Sequence, residues 1–140
     1  MSKKHKCSKR MNAKGRSTTN GHHVRHYPWQ MGCEAWKALP PVAKCLEMEL
    51  KALYFGHNNG SLFLSVREAA YRLGVSPNTA LKAFRQLEEK GFIKAKEKGG
   101  FSCKVNHATT WILTEFGVGD ALPTKDFMRW RPKEIPDSKN

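Results

Sequence analysis

Asn78, Thr79, Lys82, Arg85, Gln86 and Lys90 stand out because their spacing gathers hydrogen-bonding groups on one side of a helix. Steps of three and four residues align side chains on a common helical face. The chemistry of that face is specific. Amide side chains pair with the edge of adenine and Arg or Lys with the edge of guanine, while every cation can also bind a phosphate. Ser76, just upstream, carries the hydroxyl of an N-cap and would set a helix N-terminus beside any anion.

Two helices must position this face. The stretch from Ser65 to Ile93, SVREAAYRLGVSPNTALKAFRQLEEKGFI, reads as a helix, a tight turn at Gly74-Val75-Ser76, and a second helix. Pro77 at the first helical position and Gly91 as the C′ residue mark the second helix's ends. Val66, Ala69, Ala70 and Leu73 on the first helix are expected to pack against Ala80, Leu81, Phe84 and Leu87 on the second. A helix anchored on one side and cationic on the other is what entry into a DNA major groove requires. The pattern is a helix-turn-helix.

Upstream, Val42, Cys45, Leu46, Leu50 and Leu53 recur at helical spacing, so a further amphipathic helix is expected from Pro41 to about Tyr54. Cys45 falls on its expected buried face, as a small core residue. Tyr27-Pro28-Trp29 and CEAWKAL place Trp29 and Trp36 where a short additional helix could cap that core. Asn58-Asn59-Gly60 has turn chemistry and precedes a short apolar strand, Leu62-Phe63-Leu64. After Gly91 the period changes. Phe92 to Lys96 and Thr109 to Phe116 read as strands, giving a three-stranded sheet whose hairpin, turning at Glu97-Lys98-Gly99-Gly100, forms a wing. Lys94, Lys96, Lys98 and Lys104 would flank a phosphate backbone there, although lysines also blunt sheet edges. Leu122, Phe127, Met128 and Trp130 are apolar anchors of a segment that either folds back on the domain or docks a partner.

GVSPNTALKAFRQLEEKGFI resembles the recognition segment of GntR-type winged-helix regulators without a gap. The matching positions are Gly74, Val75, Ser76, Thr79, Lys82, Ala83, Leu87, Glu88, Gly91 and Ile93. Such families often carry Arg where this chain has Leu81, so no base contact is carried over to that position. From Tyr27 to Trp130 the AW-AL element, the NNG turn, LSVREAA, TTWILTEF and PTKDFMRW resemble small winged-helix proteins of bacterial prophages and integrative elements. A more distant resemblance is to the winged-helix domains of plasmid replication initiators. These resemblances imply an α+β winged helix-turn-helix, a three-helix core with a small antiparallel sheet and wing, in a mobile-element setting. They add no catalytic residue. The expected DNA-binding set is Ser76, Asn78, Thr79, Lys82, Arg85, Gln86, Lys94, Lys96, Lys98 and Lys104.

The charge supports a polyanionic partner. The 140 residues carry 25 Lys and Arg against 12 acids, a net charge of +13, and no acid occurs in residues 1–33. Lys3, Lys4, Lys6, Lys9, Arg10, Lys14, Arg16 and Arg25, with His5, His22, His23 and His26, make residues 1–26 a disordered basic arm. The winged-helix domain is expected over residues 27–130, and 131–140 as a frayed tail. No apolar stretch follows the N-terminal charges and none is long enough to span a bilayer, so a bacterial cytoplasmic location is expected, without a membrane partner. Cys7, Cys33, Cys45 and Cys103 form no CxxC pair, and a zinc set drawn from Cys7, His22 or His23, His26 and Cys33 lacks the close ligand pairs of a structural site. A flexible His-rich arm is the simpler reading, and no metal or cofactor is expected.

Enzymatic chemistry finds no foothold. Gly99-Gly100 lies outside any P-loop pattern, Glu88 and Glu89 point to different sides of a helix, and His57 and His107 have no nucleophile beside them in sequence. Three classes remain: a sequence-specific regulator of its own element, a replication or recombination accessory, and an interaction module with non-specific nucleic-acid binding. A homodimer would double the contact, using Trp29 and Trp36 or Phe127, Met128 and Trp130; otherwise these aromatics close the monomer's own core.

Overall fold

Local capping signals fix the helix ends in the computed structural model, which describes residues 22–97, 101–102, 105–106 and 109–133. Two single-turn helices, α1 (Pro28–Met31) and α2 (Glu34–Lys37), precede α3 (Pro41–Ala52), which opens on a proline at its first turn. In α4 (Val66–Leu73) the Ser65 hydroxyl accepts the Glu68 N–H at 3.1 Å. Gly74 ends α4 with φ 66°, and the N–H of Val75 bonds the Ala70 carbonyl at 3.0 Å. α5 (Pro77–Glu89) starts with Ser76 accepting the Thr79 N–H at 3.3 Å. It ends the same way as α4: Phe92 N–H bonds Leu87 O at 2.9 Å around Gly91, φ 82°.

The strands are β1 (Leu62–Phe63), β2 (Ile93–Glu97), β3 (Phe101–Ser102), β4 (Val105–Asn106) and β5 (Thr110–Leu113). β1, β5 and β2 form an antiparallel sheet in that order, with Leu62 and Ala95 both opposite Trp111 and Ile93 opposite Leu113. The register slips between Ala95 and Glu97, as at a β-bulge. The hairpin carries its own two-stranded sheet, β3 with β4, beyond the three strands expected from sequence. Leu62, Ile93, Trp111 and Leu113 turn inward against α5, where Phe84 stacks on Trp111 at 5.0 Å between ring centres. Ala43, Leu46 and Leu50 of α3 and Ala69 and Ala70 of α4 complete the core. Buried Asn59 ties the loop before β1 to the end of β5, its amide bonding Leu113 O, Phe116 O and Gly117 O and its Oδ1 accepting Leu113 N–H.

The C-terminal segment folds back on the domain. Phe127, in a 3-10 turn at Asp126–Met128, is 1% exposed and stacks on Phe92 at 4.7 Å. The approach is close enough that a Cβ on Gly91 would lie 2.9 Å from Asp126 and from the Phe127 nitrogen. Gly91 therefore serves the helix cap and the return segment together. Trp36 is likewise buried, 5.9 Å from Phe92.

Several side chains lie elsewhere than their spacing implied. Cys45 is exposed, because the buried stripe of α3 runs through Ala43, Leu46, Glu47, Leu50 and Lys51, where the N-terminal elements cover it. Leu81 is 36% exposed, and Leu122, expected as an anchor, is 87% exposed because the return segment is held by Phe127 instead. His22 to His26, assigned to the arm, lie along the domain. His22 Nε2 is 2.8 Å from the Ala52 carbonyl and the His26 ring is 5.4 Å from that of Trp36. Residues 1–21 of the arm, Lys98, Lys104, Cys7, Cys103, His107 and residues 134–140 of the tail lie outside the described residues.

Candidate nucleic-acid interface

Ala80, Ala83, Phe84 and Leu87 fasten one side of α5 into the core, which fixes what the other side presents. Asn78, Leu81, Lys82 and Arg85 are exposed along one outward stripe. Thr79 and Gln86 are half-buried at its flank, and the Thr79 hydroxyl is occupied by Ser76 Oγ at 2.9 Å. The stripe therefore centres on Asn78, Lys82 and Arg85. Leu81 lies beside them as an apolar surface of the kind that meets a thymine methyl.

The electrostatics of α5 are lopsided. Its acids, Glu88 and Glu89, fall in the last turn, so no carboxylate lies between Ser76 and Leu87. Pro77 has no N–H and Ser76 caps that of Thr79, which leaves the Asn78 N–H open at the positive end of the helix dipole. Anions are drawn to the N-terminal half and repelled from the last turn.

The cations sort into committed and open. Lys94 Nζ is 2.6 Å from Asp126 Oδ2, and Arg129 is 2.7 Å from Oδ1 of the same carboxylate. The Lys94 hydrogen bond, chiefly, holds the Asp126 carboxyl below the usual carboxylate range. Lys94 thus already has an anionic partner, brought to β2 by the folded-back segment. Arg72 pairs with Glu68 at 2.8 Å and Glu49 at 3.4 Å, bracing α4 against α3. Lys90 lies over Trp130, 5.2 Å from its ring centre. Lys82, Arg85 and Lys96 are exposed and have no carboxylate partner among the described residues.

Arg67 and Tyr71 on α4 join this open set. Arg67 is exposed without an acid partner among the described residues, and Tyr71, one turn later, is 84% exposed. Their i, i+4 spacing on the outward face of α4 was the available sequence signal, masked by the attention that apolar positions draw. Of the apolar residues considered for a dimer, Trp36 and Phe127 are core residues, whereas Trp29 and Met128 remain exposed, at 41% and 40%. Among the described residues no group of three or more His, Cys, Asp or Glu could hold a metal ion, and no helix is long and apolar enough to cross a membrane.

Comparison with known families agrees with this geometry. A family model described as a helix-turn-helix domain matches residues 37–93, from the end of α2 through α3, α4 and α5 to the start of β2. No curated protein and no solved structure matches the chain. The chain thus carries a helix-turn-helix domain in a winged, α+β setting, and that domain points to DNA as the partner.

Proposed function

We propose that the chain is a sequence-specific double-stranded DNA-binding protein that regulates transcription of a bacterial mobile element from the cytoplasm. The observation that carries this reading is the outward face of α5, which is anchored behind and free of carboxylates from Ser76 to Leu87. Asn78, Lys82 and Arg85 read base edges in the major groove, with Gln86 and Thr79 at the flank and Ser76 beside a phosphate. Lys96, with Lys98 and Lys104, lies along the backbone beside the groove. Lys94 reaches a phosphate only by exchanging Asp126 for it. The basic segment preceding His22 adds phosphate contacts and the affinity's dependence on salt.

The GntR-type kinship rests on the gapless segment from Gly74 to Ile93, and the mobile-element setting on the resemblance from Tyr27 to Trp130. Two protomers bind a two-fold site, with Trp29 and Met128 as the exposed aromatic and apolar surface between them. Selection of bound sequences from random duplex DNA, followed by footprinting, tests the function. A discrete palindromic site near a promoter is expected, with half-sites spaced by about 10 base pairs or a multiple. Clustered sites with bending or melting would indicate a replication or recombination accessory. Binding without sequence preference would overturn the proposal.

A further inference from the structure

Glu47 and Lys51 lie one turn apart on α3, and both are buried, at 1% and 4% exposure. Lys51 Nζ is 3.1 Å from Glu47 Oε1 and 2.5 Å from Glu115 Oε2. The same ammonium donates to Gln30 Oε1 at 2.9 Å and to the Arg25 carbonyl at 3.2 Å. Gln30, fully buried, donates to Glu47 Oε1 at 3.0 Å, and His26 Nδ1 lies 3.6 Å from Glu47 Oε2. Four parts of the chain meet here: the segment before α1, α1 itself, α3, and the chain just after β5. Burying two carboxylates and an ammonium is costly, and apolar residues of similar volume often stabilise a core as well or better. What the ionic set adds is direction, since its bonds grip one backbone carbonyl and one amide of an N-terminal segment whose apolar side chains, Val24, Tyr27, Pro28 and Trp29, are not buried.

We propose that the Gln30–Glu47–Lys51–Glu115 cluster is the anchor that fixes residues 22–30 to the domain and so sets where the basic segment preceding His22 leaves it. The inference rests on reading that segment, with Lys3, Lys4, Lys6, Lys9, Arg10, Lys14 and Arg16, as a phosphate-binding arm. Lys51 is a positioning residue, acting on DNA only through the Arg25 carbonyl and Gln30. A fixed point of exit concentrates the arm beside the bound duplex, whereas a longer free tether dilutes it.

The charge count supplies a readout that simple packing would not. Two carboxylates face one ammonium, so the cluster is one positive charge short when both are ionised. Burial pushes the Glu47 carboxyl up to about 7, against the charge and hydrogen bond of Lys51 and with repulsion from Glu115. His26 does not make up the deficit, because burial and then the Lys51 charge lower its pKa. The groups facing Glu47 are therefore His26 from the N-terminal segment, Gln30 from α1, Lys51 from its own helix and Glu115 from beyond the sheet. The docked segment holds a proton that the released one gives up. Between pH 4.5 and 7 docking weakens by up to about tenfold per pH unit, and it levels off above 7.

Amide hydrogen exchange on the full chain tests the anchor. Corrected for intrinsic rates, exchange at residues 22–30 is expected to rise by up to about tenfold per pH unit between pH 5 and 7 and to level off above that, while α5 stays protected. Glu47→Gln should flatten that rise. Lys51→Met should leave residues 22–30 unprotected at every pH with helical circular dichroism retained, and should weaken binding to a random-sequence duplex. Lys51→Met should not change duplex binding when the arm's lysines and arginines are first changed to glutamine. A Glu47→Gln protein with the wild-type pH profile, or a Lys51→Met protein with residues 22–30 still protected, overturns the anchor. If Lys51→Met frees the segment but neither it nor the neutral arm alters duplex binding, the anchor stands and the arm reading falls. Glu47→Gln preserves the side chain's shape, so its profile decides the matter if Lys51→Met does not fold.

Discussion

Replacing Glu47 with Gln should stabilise the protein at alkaline pH, although it removes half of a buried ion pair. The Glu47 carboxyl ionises at about 7 in the fold instead of 4.5, because its burial outweighs the attraction of Lys51. A raised carboxyl pKa means that the folded state binds the extra proton, so the associated stability is present at low pH and lost as pH rises through 7. The rise from 4.5 to about 7 corresponds to a loss of about 3 kcal/mol of stability, absent below pH 4.5, growing between 4.5 and 7 and complete above 7. At 1% exposure little solvent screening reduces that figure. Gln mimics the protonated carboxyl, and Lys51 keeps Glu115 as its counter-ion. Urea unfolding at pH 5 and pH 8.5 measures the effect. The gain should be about 2–3 kcal/mol at pH 8.5 and no more than about 1 kcal/mol at pH 5. A Glu47→Gln protein less stable than wild type at pH 8.5 would show that the Lys51 attraction exceeds the cost of burial, refuting the argument.

Asp126→Asn should release Lys94 from its acid partner, steepening the dependence of log affinity on log salt by about one, as read by duplex titrations at several salt concentrations. An unchanged slope would mean that Lys94 does not reach the backbone. Phe127→Ala should cost about 3–5 kcal/mol in urea unfolding, since the ring is fully buried against Phe92. A loss below about 1 kcal/mol would mark the return segment as an appendage rather than core. Deleting residues 1–21 should preserve helical circular dichroism and flatten the salt dependence of DNA binding, whereas extending the deletion through Gln30 should lower the melting temperature by stripping two partners from Lys51.

The helix-turn-helix was legible because its boundaries are written locally. Ser65 and Glu68, Gly74, the Ser76-Pro77 pair and Gly91 each act within a turn of their own position. The three strands and the outward set Asn78, Lys82 and Arg85 follow from period, whereas the order of the strands does not. What escaped depends on distant neighbours. Glu47 and Lys51 have the spacing of a solvated surface pair, and only Gln30, Arg25 and Glu115, far away in sequence, make them buried. Lys94 looked like an open wing cation until the return segment brought Asp126 to it. Cys45 and Leu81 border apolar stripes, and which side of a stripe is covered is settled by the elements that land on it. Gly91 was readable as a cap, but its second role, admitting Asp126 and Phe127, required the packed chain.

Base reading by the outward face of α5 is tested most directly by selecting duplex sequences with the wild-type chain and the Arg85→Ala chain side by side. Arg85 is exposed, has no acid partner among the described residues, and lies on the stripe with Asn78 and Lys82. The wild-type protein should select a defined motif. Arg85→Ala should lose preference at one or two of its base pairs and about 1–3 kcal/mol of affinity for the original site, with helical circular dichroism unchanged. Identical motifs bound with equal affinity by both proteins would contradict the assignment of this face.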